Sequence, residues 1–217
     1  MKVNSYSDPQ PPVARQARSR NSEARLLEAA LTLIRAGGLA QCQVPEVAKR
    51  ADVAVGTIYR RFRDKEALIE AAFLHALAPK PPGEAVLATP TPDGLAANVR
   101  FVVRSFMSQR AADATFYAAL AEFVRGSQNV EFRAEIARRR QHIIDILAER
   151  LAVAAEQDGR ALDRSHITFA LHAMTATLRG FVDDQVARPP PWSDLQSLED
   201  GLVRLMLGYF DATTLGA

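Results

Sequence analysis

The sequence predicts an all-α protein, a small N-terminal helix-turn-helix domain followed by a larger helical body. Three observations carry this. First, Val44 to Leu68, VPEVAKRADVAVGTIYRRFRDKEAL, holds two short segments with apolar residues at helical spacing. The first uses Val44, Val47, Ala48 and Ala51 and the second Ile58, Tyr59 and Phe62, with Asp52, Val53 and Ala54 between them. Second, no stretch of the body alternates as a strand would. Third, charge is unevenly divided. Val13 to Lys65 carries 11 Lys and Arg against 5 Asp and Glu, a net +6, so the rest of the chain, with +2 overall, carries −4. That distribution suits an anion-binding head on a neutral-to-acidic body.

The totals exclude several classes. At 217 residues, 48% hydrophobic and 24% charged, the chain has the composition of one or two compact units with a sizeable core. No run of about 18 apolar residues occurs, so no membrane span is expected. The N-terminal stretch has no apolar run after its positive charges, which argues against a secretory signal and makes a cytoplasmic location the expectation. The single cysteine, Cys42, rules out an internal disulfide and a multi-cysteine zinc site.

Residues 1–20, rich in Ser and Pro and poor in apolar residues, are expected to form a disordered basic arm. Its Arg15, Arg18 and Arg20 suit either a minor-groove or phosphate contact or a plain solvated tail. Helix one is expected from Asn21 or Ser22, both good caps, with Glu23 favoured in the first turn. Leu26, Leu27, Ala30, Leu31 and Ile34 give it an apolar stripe, and Gly37 and Gly38 stop it. That stripe is needed to cover Val47, Val53, Ile58 and Phe62. Pro45 falls in the first turn of helix two, where its missing N–H costs nothing. Asp52 tolerates the left-handed conformation that the turn demands. Ala54 cannot cap the second short helix, forgoing about 1 kcal/mol. Two short helices joined by such a turn, the second one basic, are what a helix-turn-helix requires.

From Asn21 to Phe73 the sequence also resembles the DNA-binding domain of the TetR family of transcriptional regulators (TetR/AcrR-type). The resemblance is carried by Gly56, Thr57, Ile58, Tyr59 and Phe62, followed by Lys65, Glu66 and Leu68. Three positions depart from the family pattern: Gln43 stands for a capping Thr, Asp52 for Gly and Ala54 for Ser. The resemblance implies that Tyr59 and Lys65 meet phosphates and that Thr57 meets phosphate or base. Chemistry adds further expectations. Gly56 lets the helix approach a duplex closely, and Val55 suits a thymine methyl or a sugar. Arg60, Arg61 and Arg63 read as phosphate or guanine ligands in preference to a merely solvated face. The DNA-binding set is therefore Arg20, Val55, Gly56, Thr57, Tyr59, Arg60, Arg61 and Lys65. A linking helix from Asp64, its cap, to about Ala78 follows, with Leu68, Ile69, Ala72, Phe73 and Leu77 apolar. The head domain is thus 21–78, and the proline-rich stretch Pro79 to Pro92 bounds it.

In the body, spanning 94–217, helices are expected at Gly94 to Gln109, Ala111 to Arg125, Asn129 to Gln157, Asp163 to Ala187 and Ser193 to Thr213. Ser193 and Gln196 suggest a capping box for the last of them. The two C-terminal helices have broad apolar faces, which pure core packing would also explain. The resemblance favours a homodimer interface there, through Leu171, Leu178, Phe181, Val182, Leu198, Leu202, Leu205 and Tyr209. It also implies an effector pocket among the middle helices, for which Phe101, Arg104, Phe106, Phe116, Tyr117, Leu120, Phe123, Phe169, His172 and Met174 are candidates. Arg104 and Arg179, if turned inward, would favour an anionic group on the effector.

Searches for catalytic motifs find none: no GxSxG, HExxH, GxxxxGK or GxGxxG occurs. His166 and His172 do not share a helical face, and His75 and His142 stand apart, so neither an enzyme nor a metal or cofactor site is expected. Cys42 reads as a packed thiol in preference to an oxidation sensor. The expected protein is a dimeric DNA-binding regulator, a repressor released from a palindromic operator by a small apolar or amphipathic effector. Its alternative is an effector-independent helix-turn-helix or architectural protein.

Overall fold

The computed structural model describes residues 12–78, 92–180 and 194–214, over 12–20 and at 214 the backbone alone. Two compact units divide at Ala76 and Leu77, and each is described by itself. Among the described residues the only regular elements are helices.

The head contains α1 (Pro12–Gln41), α2 (Val44–Ala51), α3 (Val55–Tyr59) and α4 (Lys65–Ala76). Helix α1 starts at Pro12, which corrects the expected start at Asn21 or Ser22 and the disorder expected up to residue 20. The physical reason is local: proline costs nothing at a first helical position, and Val13 to Arg20 contains no other breaker. Residues 1–11 of the expected arm lie outside the described residues. The predicted stop holds, because helical geometry breaks at Gly37 and at Gly38, whose φ of 72° is left-handed. The apolar stripe Leu26, Leu27, Ala30, Leu31 and Ile34 is buried, together with Val47, Ile58, Phe62, Leu68 and Phe73. Helix α1 packs on both α2 and α4, so α4 belongs to the core of the head. Asp64 caps α4, its Oδ1 accepting from the Ala67 amide at 2.8 Å.

The body contains α5 (Leu95–Ala112), α6 (Ala114–Gly126), α7 (Val130–Gln157), α8 (Arg164–Leu178) and α9 (Leu195–Thr214). Helix α5 packs on α7 and α9, and α8 packs on the same two, which closes a four-helix ring around one core. That core includes Val99, Val102, Leu147, Leu151, Leu171, Met174, Leu202 and Phe210. Helix α6 lies beside α5 and reaches α7 through an edge-on contact of Phe123 with Phe132 at 5.6 Å. The expected cap of α9 is corrected: Asp194, whose Oδ1 accepts from the Ser197 amide at 2.8 Å, occupies that role. Ser193 and the expected end of α8 near Ala187 lie outside the described residues.

A buried polar network fixes the start of α5. Asn98, fully buried, donates from Nδ2 to the carbonyls of Pro92 at 2.7 Å and Gly94 at 2.8 Å. Its Oδ1 accepts from Arg150 Nε at 2.9 Å. Arg150 is itself buried, its guanidinium lies 4.4 Å from the centre of the Phe101 ring, and burial holds its pKa below the usual arginine range. The Asp158 carboxylate, at the end of α7, accepts from the Leu95 amide at 2.7 Å. Gly94 is required here, for its φ is +79° and a Cβ would lie 3.0 Å from Asp158 Oδ1. Replacing Asn98 by Leu keeps the branched shape but removes the side-chain donor to the Pro92 and Gly94 carbonyls and the acceptor of the buried Arg150 Nε–H. Asn98→Leu should therefore lower stability by roughly 3 kcal/mol, read as a shift in the urea midpoint at unchanged slope.

Candidate nucleic-acid interface

In the head, α2, its turn and α3 present one exposed row of side chains. The turn is closed by Asp52 in the left-handed region (φ 53°, ψ 55°), its amide donating to carbonyls of the last turn of α2. Ala54 begins α3 with no side-chain cap. Ile58 and Phe62 point inward, at 1% and 8% exposure. They anchor the segment, and the residues between them face solvent. Tyr59 is 54% exposed and Val55 39%, so the tyrosine ring is no part of the core. Gly56 is exposed too, and a Cβ there would meet nothing within 4 Å. The protein's own packing does not demand that glycine.

The basic side chains around this row are held differently from one another. Arg60 Nη2 donates to Thr57 Oγ1 at 3.2 Å, bracing one turn of α3. Arg63, highly exposed, pairs with neighbouring Asp64 at 2.7 Å, which raises the pKa of the arginine, while the Ala67 amide and then Arg63 lower that of the aspartate. Arg61 is less exposed and reaches Glu23 of α1 at 3.3 Å. Arg25 donates to the Ala51 carbonyl at 2.6 Å, fastening α1 to the end of α2. Neither Glu23 nor Arg25 was legible as part of this region, since both partners lie far away in sequence. Lys65, in the first turn of α4, is partly buried. The side chain of Arg20 lies outside the described side chains.

The expected pocket residues do not converge on one cavity among the described residues. Phe101 lies under Arg150, Phe116 meets Tyr117 edge-on at 5.3 Å, and Phe123 meets Phe132. Arg110 stands 4.8 Å above the Tyr117 ring. Leu120 and Met174 are buried, Phe106 is half-buried, and His172 and Arg179 are exposed. Phe169, 60% exposed, lies 5.4 Å from Tyr209 on the outer face of α8 and α9. Arg104 does not join the other expected pocket residues: it clamps the buried carboxylate of Glu199, Nη2 to Oε1 at 2.9 Å, beside Arg100. A shallow cleft of about 160 Å³ opens next to this clamp, lined by Arg104, Met107, Ser108, Ala111, Leu195, Gln196 and Glu199.

The expected dimer contacts also need correction. Leu171, Leu178, Leu198 and Leu202 are at most 4% exposed and belong to the body's own core, because the four-helix ring consumes that side of both helices. Leu205, 58% exposed, and the half-buried Tyr209 do reach the surface, next to Phe169. Phe181 and Val182 lie outside the described residues. Among the described residues no three His, Cys, Asp or Glu gather as a metal site, and no helix is long and apolar enough to cross a membrane.

Comparison with known proteins agrees with this geometry. Residues 26–72, from α1 into α4, match the family described as bacterial regulatory proteins, tetR family. Over 48 residues the chain is 50% identical to the HTH-type transcriptional repressor KstR of Rhodococcus jostii (strain RHA1), a match spanning 22% of this chain and 23% of that repressor. Similarity of fold extends much further. The transcriptional regulator FadR of Bacillus subtilis, solved in complex with stearoyl-CoA, superposes with a TM-score of 0.63 at 23% identity, over 86% of this chain and 98% of its own. The fatty acid degradation regulator FadR of Bacillus halodurans gives 0.62 at 22% identity, over 93% and 97%.

Burial pushes the Cys42 thiol up to about 11, against a smaller opposing pull from Lys65. The reactive thiolate is thus scarce at any pH below that value. Cys42 should resist iodoacetamide in the native protein at pH 8 and react at the rate of a free thiol in 6 M guanidinium, as followed by mass spectrometry.

Proposed function

We propose that this chain, a transcriptional regulator of the tetR family, is a homodimeric repressor that an effector releases from a palindromic operator. The observation that carries the DNA-reading part is the exposed row Val55, Gly56, Tyr59 and Arg60, with half-buried Thr57 among them, braced from beneath by Ile58 and Phe62. Two such rows, one per protomer, would read half-sites about 34–36 Å apart or a multiple of that distance. Tyr59, Lys65 and Arg61 serve phosphates, and Val55 and Thr57 serve bases or sugar.

Pairing through the outer face of α8 and α9 is supported by Phe169, Leu205 and Tyr209, which leave an apolar strip in the single chain. Gly208 lies on it, and a Cβ there would meet nothing within its own protomer. A second copy would give that glycine a purpose, as a point of close helix approach. The effector is small and apolar or amphipathic. Support comes from the aromatic content of α5 and α6 and from the FadR relative that holds stearoyl-CoA. A coupling of about 1–3 kcal/mol between effector and operator would change occupancy five- to a hundred-fold. No catalytic role is assigned.

Selection from random duplexes, sequenced and repeated at raised salt, tests the reading. Enrichment of a palindrome supports it and supplies an operator for effector screening. Salt-labile binding without enrichment would favour a non-specific architectural protein. Gly56→Ala separates fold from function: the variant should be as stable as the parent or up to about 1 kcal/mol more so, yet bind the selected operator at least tenfold more weakly. Leu205→Glu should shift the protein to monomers in sedimentation velocity while leaving its helical circular dichroism unchanged.

A further inference from the structure

We infer that Glu23 is an internal competitor of DNA, a carboxylate on α1 that occupies Arg61 in the free protein and yields it to a backbone phosphate on binding. The inference rests on the DNA-reading proposal above and adds a residue to it. Of the guanidinium groups around α3, Arg60 is engaged by Thr57, three positions away, and Arg63 by the adjacent Asp64. Arg61 differs, since its Nη1 crosses 38 residues of sequence to Glu23 Oε2 at 3.3 Å. Glu23 is half-exposed and Arg61 is a quarter exposed, so the pair sits at the rim of the reading surface and not in the core. A 3.3 Å ion pair between partly solvated groups is weak and exchangeable. Phosphate offers an arginine the same oxyanion chemistry in better, forked geometry.

Glu23 therefore has two effects on an approaching duplex. It occupies a donor that a phosphate would use, and it places a negative charge on the face that phosphates must approach. Neither effect contributes to the fold of the head to the extent that Arg25 does, whose guanidinium binds a backbone carbonyl at 2.6 Å. Binding of DNA exchanges carboxylate for phosphate on Arg61, and the affinity measured is lower by the strength of that exchange.

Glu23→Gln, compared with wild type on the same selected duplex, should bind two- to fivefold more tightly at low salt. The advantage should shrink as salt rises, and the slope of log affinity against log salt should steepen by up to about 0.9, the value for one further phosphate neutralised. In an Arg61→Ala background the same change should give a clearly smaller gain, the part owed to the carboxylate's charge alone. Thermal melts of all three variants must match wild type within a few degrees, which confirms that the head is intact. Unchanged or weaker binding by Glu23→Gln overturns the inference, as does an equal gain in the Arg61→Ala background, which would mark a general charge effect. Wild type that binds no duplex at all would overturn the DNA-reading proposal as well, whereas wild-type binding with an unaltered Glu23→Gln removes this inference alone.

Discussion

The head depends on burial of one apolar stripe. Helices α2 and α3 are 8 and 5 residues long, far below the length at which a helix persists by itself. Each exists because α1 lays Leu26, Ala30, Leu31 and Ile34 across a core completed by α4. Only Ile58 of α3 is fully withdrawn from solvent, with Phe62 just beyond it. Those two side chains set the rotation of the segment and hence which of its residues face outward. The exposed row is thus a by-product of core packing: α3 shows Val55, Gly56 and Tyr59 because it must hide Ile58.

A different device governs the body. Among the described residues the buried polar side chains of its ring of α5, α7, α8 and α9 are Asn98 and Arg150, which meet near the start of α5, and Glu199 of α9. Buried polar groups cost free energy unless bonded, so such a network specifies one arrangement more strictly than leucines could. It ties the first turn of α5 to the far end of α7 through Asp158 and Gly94. The Arg100, Arg104, Glu199 and Asp200 cluster binds α5 to α9 in a similar way, with Glu199 the buried member. Helix α5 is held by charge on two sides as well as by burial.

Much of this was legible before any coordinates. The stripe of α1, its stop at two glycines, the left-handed Asp52, the uncapped Ala54 and the Asp64 cap all follow from local chemistry, and each appears as read. Apart from the end of α8, which lies outside the described residues, the body helices fell within a few residues of their observed ends, since the three-to-four periodicity is long and uninterrupted. What sequence could not supply was partnership. An apolar face such as Leu171 and Leu202 looks the same whether its own chain or a second copy covers it, and here its own chain does. The aromatic residues read as one pocket are distributed over separate contacts, a matter of helix rotation that composition does not encode. Long-range pairs such as Glu23 with Arg61 leave no periodic trace at all.

Helix α6 stands outside the ring, beside α5, with Phe123 edge-on to Phe132 of α7. In mechanical terms the body is a stiff frame with one compliant flank. Spreading any two of the ring helices breaks a shared core or a charge clamp, while tilting α6 away uncovers a shorter buried stripe, Phe116, Ala119 and Leu120, and parts the contact of Phe123 with Phe132. Volume can therefore be gained on that side at a lower elastic cost than anywhere in the ring, which makes the body's deformability directional.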